Sequence, residues 1–252
     1  MLKIIPLGGL GEIGLNMMAF EYGGTLFVVD AGLMFPEDYM LGVDFVIPDM
    51  EYLRQNRSRL AGIVLTHAHE DHIGALPYLL KELKAPVFGT SFTLGLARQK
   101  TEAHELKGSA ALHTILPDET LKLGPFTLEF IRVGHSVLDG VGIAIQSPLG
   151  RIIHTGDFKI SQTPIKGMGT DSKTFKSKGK EGVLVLLSDS TNVEKEERIL
   201  LLFDEFNSFK EDLYNSFTEM LEGKASIDIF FHHFNPEVFS SLVIERKELY
   251  TS

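Results

Sequence analysis

Residues 65–75 read LTHAHEDHIGA. Three imidazoles (His67, His69, His72) and two carboxylates (Glu70, Asp71) fall within six positions there, between two apolar segments. Imidazole and carboxylate together form a usual ligand set for zinc. His67 and His69 stand at i and i+2, so in extended backbone both face one side. Asp71 and His72 come just before a helix that the apolar spacing of IGALPYLLKELK predicts to begin near Ile73, with Pro77 in its first turn. Four ligand-capable side chains therefore surround one strand-to-helix turn. Glu70 is the odd one out, pointing away or supporting a ligand from behind.

One such turn cannot fill two metal sites, so further ligands have to come from the ends of later strands. His135 closes TLEFIRVGHS and Asp157 closes RIIHTGDF, each where an apolar strand gives way to a turn. Taken alone, His135 reads as an ordinary loop histidine and Asp157 as a turn former. Both converge on the 67–72 turn if their strands are neighbours. His154, three residues before Asp157 and inside a strand, keeps a structural reading. Cysteine is absent, which excludes disulfides and thiolate metal sites and leaves His, Asp and Glu as the available ligands.

The elements that must position these groups are mostly strands. They are expected at 2–7, 17–22, 25–30, 61–65, 86–88, 126–133, 141–147, 151–155, 183–188 and 226–231, with a hairpin at Gly23-Gly24. Helices are expected from Ile73, at 91–105, and late in the chain at 203–222 and 236–247. This order fits a two-sheet α/β sandwich with outer helices better than a regular βα alternation. Residues 166–180 hold five lysines and read as a solvated loop, with phosphate contact as the sharper alternative. Gly9 to Gly14 match G-x-G-x-x-G, but strand-like NMMAFEY follows where a dinucleotide site needs a helix. The favoured reading is a tight glycine turn that brings Glu12 or Asn16 near a site.

The chain has 252 residues, 44% hydrophobic and 23% charged, enough for one large domain or two small ones. A net charge of −10 argues against a generally basic nucleic-acid binder, though not against a local basic groove or metal-assisted binding of an anion. MLKIIPLGGLGEIG has no signal-peptide character, and no apolar run approaches the ~20 residues that span a bilayer. The expected location is cytoplasmic, with no membrane partner.

H-x-H-x-D-H with a later His and a later Asp resembles the metallo-β-lactamase superfamily. LGGLGEIGLNM (7–17), DAGLMFPEDYMLGVDFVIPD (30–49), LTHAHEDHIGALPYLL (65–80), HTGDFKISQTP (154–164) and LLSDSTN (186–192) narrow the resemblance to the ribonuclease J family of its β-CASP branch, through about residue 193. The resemblance implies an αββα four-layer sandwich and a zinc-dependent ribonuclease acting on single-stranded RNA. It implies that His67, His69 and His135 bind one zinc, that Asp71 and His72 bind a second, and that Asp157 bridges both. Asp189 in SDSTN would support the site, and Asp30 would steady the metal loop. Two cations about 4 Å apart would generate a shared hydroxide that attacks phosphorus in line, with Asp71 orienting it or accepting its proton.

The resemblance also implies a long insertion after DSTN, forming a lid on RNA, and a last histidine for the second zinc. Residues 194–252 do not follow that pattern, except that their beginning reads as a start of the insertion. They are expected to be a divergent tail on a catalytic domain at 1–193: a truncated, frameshifted or naturally short form of the fold, incomplete on its C-terminal side. The second zinc site is then expected to be weaker, with His232 or His233 either substituting or standing as surface histidines. A homo-oligomer is compatible with this reading. Two other functions stay open: a stand-alone metallo-hydrolase of small esters or phosphodiesters, and a non-catalytic zinc-binding remnant.

Overall fold

Alternation along the first strands sets the layers. Met18 and Phe20 bury themselves on one side of their strand, and Met17 and Ala19 on the other. Phe27 and Val29 repeat this against Leu26 and Val28. Side chains alternate across a strand, so a strand apolar on both faces must be covered on both. A computed structural model supplies the covering layers. It describes residues 1–108, 110–161 and 168–190, together with the backbone strands at 228–231 and 242–244.

The elements in chain order are β1 (Leu2–Gly8), β2 (Met17–Tyr22), β3 (Thr25–Val29), α1 (Glu51–Gln55), β4 (Leu60–Val64), α2 (Glu70–Ile73), α3 (Leu76–Glu82), β5 (Val87–Gly89), α4 (Ser91–Ala103), β6 (Leu112–Thr114), β7 (Thr120–Leu123), β8 (Phe126–Arg132), β9 (Val141–Ser147), β10 (Gly150–His154), α5 (Ser172–Lys180), β11 (Val185–Ser188), β12 (Asp228–Phe231) and β13 (Leu242–Ile244). One sheet runs β13-β1-β2-β3-β4-β5-β6 and the other β12-β11-β10-β9-β8-β7. Phe20, Phe27, Phe126 and Phe130 lie between the sheets. Phe20 and Phe27 stack at 5.0 Å, and Phe126 of the opposite sheet meets Phe27 edge-on at 5.0 Å. Leu53, Leu79 and Leu94 cover the outer face of the first sheet from α1, α3 and α4. Phe175 of α5 covers the second. The result is the expected αββα sandwich.

Strand direction decides where the loops meet. β3, β4 and β5 run parallel. β8 and β10 are each antiparallel to β9, and β11 is parallel to β10, so these three share a direction. A hydrogen bond from Val141 N to Thr66 O at 3.0 Å joins the two sheets where β4 and β8 end. The C-terminal ends of the strands from both sheets thus open onto one pole.

Several expectations are corrected. The lysine-rich stretch is not a loop over its later part. Asp171 caps α5 by accepting from Thr174 N, and Phe175 anchors the helix to the sheet. The late helix expected at 236–247 gives way at Leu242–Ile244 to β13, which pairs with β1. The helix expected near Ile73 begins at Glu70 as the short α2, with α3 following and Pro77 in its first turn. The helix expected at 203–222, and His232 and His233, lie outside the described residues.

Glu21 of β2 ties this frame to its outer layer. It is 7% exposed and receives Arg59 at 2.9 and 3.2 Å, Lys3 of β1 at 3.1 Å and the Tyr52 hydroxyl of α1. Burial alone would raise its pKa, but the bonds from Tyr52, Arg59 and Lys3 outweigh it and lower the carboxyl to about 2. A depressed carboxylate stabilises the fold above its unfolded value near 4.5 and loses that stabilisation as pH falls toward 2. Glu21→Gln is expected to cost on the order of 2–3 kcal/mol at pH 7. The gap between wild type and variant should narrow at pH 3 in urea denaturation; equal gaps at both pH values would refute the assignment.

Candidate metal centre

The 66–72 turn leaves β4 and enters α2 with His69 at the helix cap in extended backbone. Two segments hold it, residues 30–33 and Asn16. Asp30, directly after β3, has φ 62° and accepts from Thr66 N at 2.7 Å and Thr66 Oγ1 at 2.8 Å. Ala31 N and Leu33 N donate to His72 O at 2.8 Å and Glu70 O at 3.1 Å. Asn16 N donates to Asp71 O at 3.1 Å. The glycine turn after β1 therefore serves as the sequence suggests: it delivers Asn16, whose amide lies 3.1 Å from Asp71 O and 3.1 Å from His72 Nε2. Glu12 does not reach the site; it stays exposed and accepts from Gly9 N at 3.1 Å.

His135 follows β8 and Asp157 follows β10, and both reach the turn. His67 Nε2 and His135 Nε2 lie 3.1 and 3.2 Å from His69 Nδ1. Asp157 Oδ2 is 3.9 Å from His67 Nε2 and 3.6 Å from His135 Nε2. Its other oxygen, Oδ1, is 3.4 Å from His72 Nε2, which in turn is 3.6 Å from Asp71 Oδ2. Two groups result, His67–His69–His135–Asp157 and Asp71–His72–Asp157, each with candidate ligand atoms within 4.8 Å of one another. Asp157 belongs to both and turns one oxygen to each.

The electrostatics suit a cation. Burial, reinforced by His72, His135 and His69, pushes His67 down to about 2, so its ring is neutral and carries a free lone pair. Burial also lowers His135. For Asp157 burial opposes the charge, yet His72, His67 and His135 hold the carboxyl well below its usual range. His72 is raised despite complete burial, because Asp30 and Asp157 face it.

Asp189 follows β11 at the same pole. Its N–H donates to Thr155 Oγ1 at 3.0 Å and its charge favours a protonated His135, but it is in neither ligand group. Glu70 points away, paired with Lys100 at 2.6 Å. His154 is buried and accepts from Gly156 N at 3.1 Å through Nδ1, a structural role. Sequence reasoning missed Thr66, Ser136 (Oγ 3.3 Å from His69 Nε2) and Thr155. Their only signal was adjacency to a candidate ligand or strand end.

A family model of the metallo-β-lactamase superfamily matches residues 10–233. The chain is 49% identical over 194 residues to ribonuclease J of Helicobacter pylori, covering 77% of this chain and 28% of that protein. Against ribonuclease J of Thermus thermophilus it is 46% identical over 200 residues, covering 77% of this chain and 35% of that protein. The chain thus spans about a third of the length of the curated relatives it matches. Among solved structures, unliganded yeast PDE1 matches with TM-score 0.62 at 14% identity, covering 93% of this chain and 89% of that one. The metallo-β-lactamase fold protein YhfI from Bacillus subtilis matches with TM-score 0.52 at 19% identity, covering 75% and 70%. At these identities the structural likeness concerns the fold alone.

Gly32 tests how the turn is seated. A Cβ there would lie 1.6 Å from Asp71 O and 2.9 Å from Asn16 N, both backbone atoms. Gly32→Ala is expected to cost about 3 kcal/mol or more in urea denaturation. Gly95→Ala, in the middle of α4 with nothing within 4 Å, should be neutral or slightly stabilising. A Gly32→Ala variant as stable as wild type would contradict the packing described.

Proposed function

The chain belongs to the metallo-β-lactamase superfamily, and from that membership we propose that it is a zinc-dependent hydrolase of RNA phosphodiesters, of the ribonuclease J type. The observation that carries this reading is the shared carboxylate. Two ligand groups meet at Asp157 in a chain that is 49% identical to a ribonuclease J over 194 residues.

The donors fit zinc. They are imidazole nitrogens and carboxylate oxygens without sulfur, gathered at strand ends, and the buried His67 ring is neutral. His67, His69, His135 and Asp157 Oδ2 would hold one ion, and Asp71, His72 and Asp157 Oδ1 a second. Bound there, zinc supplies a Lewis acid for phosphoryl oxygen and lowers the pKa of water toward neutrality. The residues do the rest. Asp71, whose side chain is a third exposed, stands at the solvent side of its group and would orient the attacking water and accept its proton on a carboxylate oxygen. Asp157 keeps the two groups in one register. Asp189 supports the His135 side through its charge and its bond to Thr155. Asp71 and Asp157 would repel a polyanionic substrate without the cations, so metal binding precedes productive RNA binding in this scheme.

No helix among the described residues is long and apolar enough to cross a membrane. A cytoplasmic site of action agrees with an RNA substrate.

Zinc-loaded protein is expected to cleave 5′-monophosphorylated single-stranded RNA and to lose that activity on chelation or with Asp157→Asn. Turnover of a bis-aryl phosphodiester but not RNA would favour a small-ester hydrolase. Zinc binding with neither activity would favour a non-catalytic role. Calorimetric titration should resolve two steps, the second at least about tenfold weaker, because one group offers four side chains and the other three. Two equally tight steps would refute the unequal-site assignment.

A further inference from the structure

Between the two ligand groups lies a hydrogen-bond chain whose directions can be worked out. Asp30, Thr66, His67 and His72 are all essentially buried, so their polar atoms must find partners within the protein. A carboxylate only accepts. The single hydroxyl proton of Thr66 therefore goes to Asp30 Oδ2 at 2.8 Å. Toward His67 Nδ1, 3.1 Å away, Thr66 Oγ1 is left to accept. The His67 ring proton then sits on Nδ1, and Nε2 faces His69 and Asp157 with its lone pair free. On the other side His72 Nδ1 donates to the same Asp30 oxygen at 2.8 Å, nearer than its 3.4 Å approach to Thr66.

We propose that Thr66 is a positioning residue. With Asp30 it forms a relay that sets the tautomer and ring orientation of one histidine in each ligand group, so that one buried carboxylate serves both groups. Asp30 reaches His72 directly and His67 only through the Thr66 hydroxyl. Removing that hydroxyl disturbs the four-residue group selectively. The backbone bonds of Thr66 to Asp30 Oδ1 and from Val141 N persist in any variant that keeps the fold. The consequence for zinc rests on the metal reading above, whereas the tautomer does not.

Thr66→Val keeps the shape and removes the hydroxyl. It is expected to weaken the tight zinc step about 10- to 100-fold and leave the weaker step within about threefold. Thr66→Ser should restore both. In metal-free protein, long-range 1H–15N spectra should show the Nδ1–H tautomer of His67 in wild type and Thr66→Ser, and its loss in Thr66→Val. An Nε2–H tautomer in wild type overturns the relay, as does an unchanged tight step in Thr66→Val or a Thr66→Ser variant as impaired as Thr66→Val. If Thr66→Val fails to fold, the wild-type tautomer and the Thr66→Ser isotherm decide. A wild-type protein that binds no zinc would sink the metal reading and leave the tautomer to decide this one.

Discussion

A buried carboxylate that accepts three hydrogen bonds is the constraint on which the pole of this sandwich depends. Asp30 takes Thr66 N, Thr66 Oγ1 and His72 Nδ1 on its two oxygens. Left unpaired, a carboxylate so deeply buried would be severely destabilising. Paired in this way, it fixes both ends of the segment that carries His67, His69, Asp71 and His72. Its backbone lies at φ 62°, a conformation that aspartate tolerates better than most residues. That conformation turns the chain at the end of β3 into the 31–33 segment, which pairs with α2.

The remaining groups reach the pole because strand directions agree across the sandwich. His135, Asp157 and Asp189 come from three strands of one sheet that run the same way. The 66–72 turn comes from the other sheet, and Val141 N to Thr66 O fastens the two. The phenylalanines between the sheets hold the separation, so the distances at Asp157 follow from packing well away from it.

Much of this was legible in the sequence, for identifiable reasons. His67 to His72 lie on one short segment, where spacing alone places side chains. His135 and Asp157 were legible as polar residues ending apolar runs, and strand neighbourhood did the rest. Thr66, Ser136 and Thr155 were not, since a hydroxyl beside a candidate ligand has no pattern of its own and acts only through the bonds it makes once folded. The lysine-rich stretch misled because composition outweighed two local features: Asp171 as a cap and Phe175 as a single buried anchor. Residues 242–244 were misread because a short apolar run has no period long enough to separate helix from strand.

The pairing of β1 with β13 also bears on how the molecule is made. Leu2 stands opposite Ile244, so this edge of β1 is covered only by a strand far along the sequence. Contacts this distant in sequence slow folding, because a large loop must close before they contribute. During translation the β1 edge is an unpaired ladder of N–H and C=O groups, the kind of template that recruits other chains. Chains in which β13 has yet to dock are therefore prone to clumping along the outer edge of β1.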